Sequence, residues 1–430
     1  MFRIVFVLAL LLAAWPAGAQ EHQHPAPPPA TQDHAHHVEQ GQGLFSTSEA
    51  SGTSWLPEPS PMYAGHGRAA GWELMWHGNL FLQFINESAE EHRGAHQTGS
   101  INWAMGMARR RAGAGRVGVR TMLSLEPWTI GGCGYPDLLA TGESCDGDTI
   151  HDRQHPHDLF MELALEYERP LRAGIRWFAY GGPVGEPALG PVAFPHRVSA
   201  LANPIAPIAH HWLDATHITF GVVTTGVRAA RWSAEASVFN GREPDENRTD
   251  FDFAALDSYS ARFSVALRPS MVLQVSAGRL NDAEREAGLP PTDVTRVTAS
   301  ASYHRAINAS TLWASTVAWG MNDEPLNTTH ALLVESALSM RDRHVGFLRV
   351  EVVGKPAHDL HVHESNEVFT VGKVQLGYTH YLRPKHGLQL GMGGSIAGSV
   401  VPPALASRYG GRVAPGVAAF LTVRPAAHAM

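Results

Sequence analysis

From about Trp72 to its end the chain repeats one unit, an alternating apolar–polar segment of roughly ten residues, and the connections are by turns short and long. In Glu73–Phe84 one side carries Leu74, Trp76, Leu80, Leu82 and Phe84, and the other Glu73, His77, Asn79 and Gln83. In Leu159–Glu168, Leu159, Met161, Leu163, Leu165 and Tyr167 oppose Glu162, Glu166 and Glu168. A period of two is that of an extended strand with unlike surroundings on its two faces. The split recurs in Val117–Glu126, Tyr259–Arg268 and Thr295–His304, and again where Leu348, Val350 and Val352 oppose Arg349 and Glu351. Arg111–Gly115, Arg169–Gly174 and His304–Asn308 are short connections, whereas Thr129–His157, Gly181–Ala215 and Lys355–Glu367 are long. Lipid has no water to satisfy an open sheet edge, so a spanning sheet must close on itself. The expected class is all-β, a closed antiparallel transmembrane β-barrel of about 16 strands with short periplasmic turns and long extracellular loops.

The segment before the barrel reads differently. Phe2–Trp15 is an apolar run behind Arg3, followed by Ala17-Gly18-Ala19, the pattern of a secretory signal over residues 1–19. Residues 20–71 are expected to be a disordered His- and Pro-rich periplasmic tail and lead-in, with the barrel at 72–425. Although 44% of the residues are hydrophobic, no later run is long enough for a transmembrane helix. There is no basic run, which argues against nucleic acid as a partner. Cys133 and Cys145 lie close together in an exported chain and are expected to form a disulfide that staples a loop.

The polar strand faces supply the candidate lumen. Glu73, His77, Glu126 and His304 join a mixed-charge set in which Glu162, Glu166, Glu335 and Glu351 oppose Arg120, Arg262, Arg296, Arg349 and Lys373. Opposed charges in a pore set its ion bias. Histidine, at 25 residues, is the compositional anomaly. His34, His36 and His37 in the tail, His151, His155 and His157 in HDRQHPHD, and His358, His361 and His363 in HDLHVHE are candidate ligands for a divalent ion such as Cu or Zn. In an extended segment His361 and His363 project to one side. A further dense patch, His210, His211, Asp214 and His217, follows a Pro-rich loop of a length that can fold inward and constrict a pore. Asp158 beside His157 is the formal candidate for a rim hydrolase, but no GxSxG, HExxH or P-loop string is present. The expectation is a protein that is not an enzyme and requires no cofactor.

The strings ASGTSW (50–55), GGCGYP (131–136), DRQHPHDLFMELA (152–164), ALGPVAFPHR (188–197), NPIAPIAHHW (203–212) and FNGREPDENR (239–248) resemble an uncharacterised family of bacterial outer-membrane barrels. Its members tend to be encoded near heavy-metal or copper resistance genes. The layout of a His-rich tail before a barrel is also similar to copper-resistance outer-membrane protein B, although Met motifs are few in this tail. The resemblance implies an outer-membrane location and a link to copper or zinc. The expected function is a porin-like channel for small hydrophilic solutes or ions, with lipid, solutes or metal ions, and further copies of the chain as partners. A metal-binding resistance protein without an open pore is the first alternative, and a rim hydrolase the second.

Overall fold

The computed structural model describes residues 44–427 apart from 91–92, 285–290, 363–364 and 366. The expected signal and tail, with His34, His36 and His37, and also His363, lie outside the described residues. The strands are β1 (Ala64–Ala69), β2 (Trp72–Glu87), β3 (Ala95–Ala112), β4 (Gly115–Leu123), β5 (Tyr135–Cys145), β6 (Asp148–Gln154), β7 (Phe160–Arg172), β8 (Ile175–Gly185), β9 (Thr219–Arg228) and β10 (Trp232–Phe239). They continue as β11 (Ser258–Arg268), β12 (Met271–Glu284), β13 (Thr292–Asn308), β14 (Thr311–Asp323), β15 (Thr328–Met340), β16 (His344–Pro356), β17 (Val368–Tyr381), β18 (Leu388–Val400) and β19 (Val413–Pro425).

Among the described residues, β2–β4 and β7–β19 form a closed antiparallel cylinder of 16 strands, each paired with its neighbour in order. At the seam β19 pairs with β2 from Gly416↔Glu87 to Val423↔Leu80. Below it β1 takes the same edge of β2, from Ala64↔His77 to Ala69↔Trp72. The hairpin β5–β6 is a separate sheet within the β4–β7 connection. Connections at one end are tight, such as Gly113-Ala114 between β3 and β4, where φ of +59° at Gly113 suits a residue without Cβ. Those at the other end are longer, and the β8–β9 loop covers residues 186–218.

Polarity is inverted relative to a water-soluble protein. Outward positions are apolar and exposed, as at Leu165 (62%), Tyr259 (60%), Ile396 (61%) and Leu421 (55%), while Thr298, Glu335 and Ser399 are buried inside. Such a surface is stable against acyl chains and would aggregate in water.

Four local expectations need correction. The strand expected to run to Glu126 ends at Leu123, and Glu126 opens a helical turn, Glu126–Thr129, because Pro127 has no N–H for the ladder. Met161, expected on the lipid face, is buried among Met122, Val184 and Phe220, since the register slips between Met122↔Glu162 and Leu123↔Phe160 and turns it inward. The connection expected at His304–Asn308 falls after Asn308, because β13 runs on to that residue. The lead-in 44–62 is anchored against the inner wall, with Ser51, Thr53, Ser54 and Leu56 buried.

Candidate functional site

Among the described residues, the inside of the cylinder holds residues 44–62, the β4–β7 connection with its β5–β6 hairpin, and the β8–β9 loop. Inward wall residues explain why they settle there. Phe81, Ile85, Ile101, Phe347 and Phe420 point inside, and Ile130, Tyr135, Ala202 and Ile205 cover them. Leu138, Leu139, Ile208, Trp212 and Leu213 pack likewise on Ala318, Leu333, Val353 and Val371. Burying each such side chain is worth about 1.5–3 kcal/mol.

Polar groups fix the loop's path across the lumen. The Ala188 N–H donates to Ser237 Oγ (2.7 Å) and the Gly190 N–H to Ser276 Oγ (2.9 Å). Further along, Ser199 donates to Thr316 (3.0 Å), Asn203 to Gln375 (2.7 Å) and Trp212 Nε1 to Thr329 (2.7 Å). The loop therefore bonds to β10, β12, β14, β15 and β17, on both sides of the cylinder.

The charges read as lumen-lining are placed as follows. Arg120 lies 3.0 Å from Glu162 and donates to the Gly52 carbonyl (2.7 Å). Glu162 also accepts from Tyr180 (2.6 Å). Glu166 accepts from Arg109, which bonds Glu49 as well. Arg262 donates to Glu235 (2.8 Å), Thr53 (2.9 Å) and the Gly190 carbonyl (3.2 Å). Arg349 donates to Glu335 (2.8 Å) and the Ile205 carbonyl (2.7 Å). Glu351 accepts from the Ala209 N–H (3.0 Å), and Lys373 donates to Glu87 (2.7 Å) and Asp137 (2.5 Å). His304 Nδ1 meets Ser60 Oγ (2.8 Å), Arg296 donates to Asn322 (2.9 Å), and Glu73 pairs with Arg68 (3.0 Å). His77 Nε2 lies 3.0 Å from Met105 Sδ, beside a cavity of about 100 Å³ lined by Met62, Met75, Met107 and His196. Glu126 accepts from the backbone N–H and Nδ1 of His157, both at 2.9 Å.

Arg197 was not among the residues singled out. It is fully buried and holds the loop with donations to Glu335 (2.8 and 3.3 Å), Asp214 (2.8 Å) and the Val192 carbonyl (3.0 Å). Glu49 was missed too. Burial pushes its carboxyl up, but Arg109 and Arg116 outweigh that and hold it at about 2.

The candidate metal histidines divide between two places, His151 joining His361, and His155 and His157 joining His210, His211 and His217. His151 stacks on His361 with ring centroids 3.9 Å apart, while His155 lies 3.2 Å from Glu143 and His157 turns to Glu126. His358 meets Asp359 (3.0 Å). His361 sits in a turn with φ of +49°, so the extended geometry expected for it is not formed. The His157 ring is oriented by Glu126, and Asp158 faces Arg248 at 4.0 Å, so the formal hydrolase pair is not assembled. Cys133 and Cys145 are bonded across the hairpin, with a Cα separation of 5.2 Å. Burial holds His210 down to about 4 and His155 and His217 well below the usual imidazole value, so these rings are neutral bases at pH 7.

No family model matches the chain, and no curated protein matches it. Solved outer-membrane structures do. The Salmonella typhi OmpF, in complex with daunomycin, shares 8% identity, covering 84% of this chain and 100% of its own with a TM-score of 0.51. An anion-selective porin from Comamonas acidovorans shares 10% identity over 82% of this chain and 99% of its own, with a TM-score of 0.50. At that identity the likeness establishes the fold. A closed 16-strand cylinder with a lipid-compatible exterior and a porin-like path of the chain makes this protein a β-barrel of the bacterial outer membrane.

Proposed function

We propose that the protein is an outer-membrane channel for small hydrophilic solutes or ions whose lumen is closed at rest by its own inserted segments. The carrying observation is the pairing of wall charges with charges and carbonyls of those segments, as in Lys373 with Asp137 and Glu335 with Arg197. Beside the apolar contacts that seat the segments, these paired groups are charged, hydrogen-bonded and exchangeable for water, so a displaced segment uncovers a path lined in part by hydrophilic groups. The porin-like fold supports the same reading, and one of the similar structures is an anion-selective porin.

In a planar bilayer the purified barrel is expected to be silent at low voltage and to open in discrete steps as the field rises, because charged segments in the lumen feel the applied potential. Passage of small sugars in liposome swelling should follow the same openings. A correctly folded barrel that stays silent at every voltage and passes no sugar would remove the channel reading.

A further inference from the structure

Where the β8–β9 loop meets the β4–β7 connection, five imidazoles lie in contact inside the barrel. The rings of His155, His210 and His211 form a triangle with centroids 5.5, 5.5 and 5.7 Å apart. His217 adjoins His210 at 5.2 Å, and His157 adjoins His217 at 5.3 Å. All but His157 share one bonding pattern. Nδ1 is held by an oxygen, in His210 by Asp214 (2.9 Å), in His211 by Glu243 (2.9 Å), in His155 by the Pro156 carbonyl (3.3 Å), with the Glu143 carboxylate 3.2 Å away, and in His217 by the Asp214 carbonyl (2.8 Å). Nε2 is buried without a hydrogen-bond partner in each of the four.

An Nδ1 that donates to an oxygen leaves Nε2 as a bare lone pair, and a buried acceptor left unmet costs about 1–3 kcal/mol. Several such lone pairs within one contact cluster call for a common electron-pair acceptor. An anion would need donors, and these rings offer acceptors. Nearby Glu143, Glu243 and Asp214 also favour a cation, with Arg197 and Arg248 balancing part of their charge. A carboxylate or carbonyl on the far nitrogen is the arrangement that orients metal-bound histidines and raises their basicity.

We infer that His155, His210 and His211, with His217 adjoining, form an intralumenal site for one divalent transition-metal ion of the zinc or copper(II) class. Imidazoles bound through Nε2 to a tetrahedral ion at 2.0–2.1 Å would have centroids about 5 Å apart. The observed triangle is slightly wider, and among the described residues no three of these histidines bring their nitrogens within 4.8 Å of one another. Binding therefore requires the rings to swing inward, which couples the ion to the positions of both connections. The site stands whether or not the barrel conducts. It joins residues far apart in sequence and is distinct from the HDRQHPHD and HDLHVHE strings taken singly.

The test uses the full chain in detergent, with Co2+ as a spectroscopic probe and Zn2+ as its competitor. The parent protein should show the visible absorption of a tetrahedral Co2+ site, abolished by one equivalent of Zn2+. Replacing the tail histidines His22, His24, His34, His36 and His37 by alanine should leave that signal intact, whereas His155→Gln/His210→Gln should remove it. Glu243→Gln, which keeps all the ligands, should weaken Zn2+ binding about 10–100-fold and covers the case in which the double variant does not fold. Absence of a tetrahedral Co2+ signal in the parent, its loss with the tail histidines, or unchanged Zn2+ affinity in Glu243→Gln would each overturn the site.

Discussion

Replacing Arg197 with alanine is expected to convert a silent barrel into a steadily conducting one. Arg197 ties the 186–218 loop to the wall through Glu335, which also accepts from Ser199 of the loop (3.2 Å), while bracing the loop internally through Asp214 and the Val192 carbonyl. Its removal leaves two buried carboxylates short of their shared cation, a loss of about 3–5 kcal/mol for the docked loop. Glu335 keeps Arg349, which limits the damage to the loop side of the network. The sixteen-strand ladder does not depend on Arg197, so the heat-induced mobility shift on gels should survive. Arg197→Lys should also leak, because an ammonium cannot bridge both carboxylates with the fixed fork of a guanidinium. Single-channel recording of the three proteins decides the matter. An Arg197→Ala barrel that folds and is as quiet as the parent would show that the loop is not what closes the lumen.

The second large effect concerns acid. Glu49 anchors the 44–62 segment by pairing with Arg109 and with Arg116 (2.9 Å). Its carboxyl titrates at about 2 when docked, against 4.5 ordinarily, so docking favours the charged form. The stabilisation is fully present above about pH 4.5 and is lost as the pH falls through 4.5 toward 2, amounting to about 3 kcal/mol at its full extent. Amide hydrogen exchange in detergent, corrected for intrinsic rates, should show residues 44–62 protected at pH 6 and released at pH 3, with the wall strands protected at both. In Glu49→Gln the segment should exchange quickly at either pH. Equal protection at pH 3 and pH 6 in the parent, with the wall intact, would refute the anchoring role.

The wall was legible in the sequence because its code is local. In β11, Tyr259 and Phe263 alternate with Ser260, Arg262 and Ser264, and each residue's face follows from its parity. Met161 broke the rule because a bulge depends on the partner strand as well as on its own. What fills the lumen was far less legible. The contacts that decide it join Arg197 to Glu335 and Lys373 to Asp137, pairs 138 and 236 residues apart. No local period carries such information. One signal was present all the same. Phe81, Ile85, Phe347 and Phe420 fall on the parity of the polar face, where a water-filled pore has no use for them. The histidine strings carried part of the arrangement, since His155 and His157 of one string meet His210, His211 and His217 of another segment, while their neighbour His151 turns to His361, and no local spacing tells these partners apart.

The seam carries a consequence for biogenesis. Thr422 in β19 bonds to Asn79 in β2, 343 residues earlier, and β19 supplies the whole upper half of that strand's second edge. A polypeptide ended before Val413 would keep every other strand pair yet present two raw borders, on β18 and on β2, to any chain nearby. Termination so late in synthesis is as damaging as termination halfway, and an envelope surveillance protease that recognises unpaired strand borders would see both products alike.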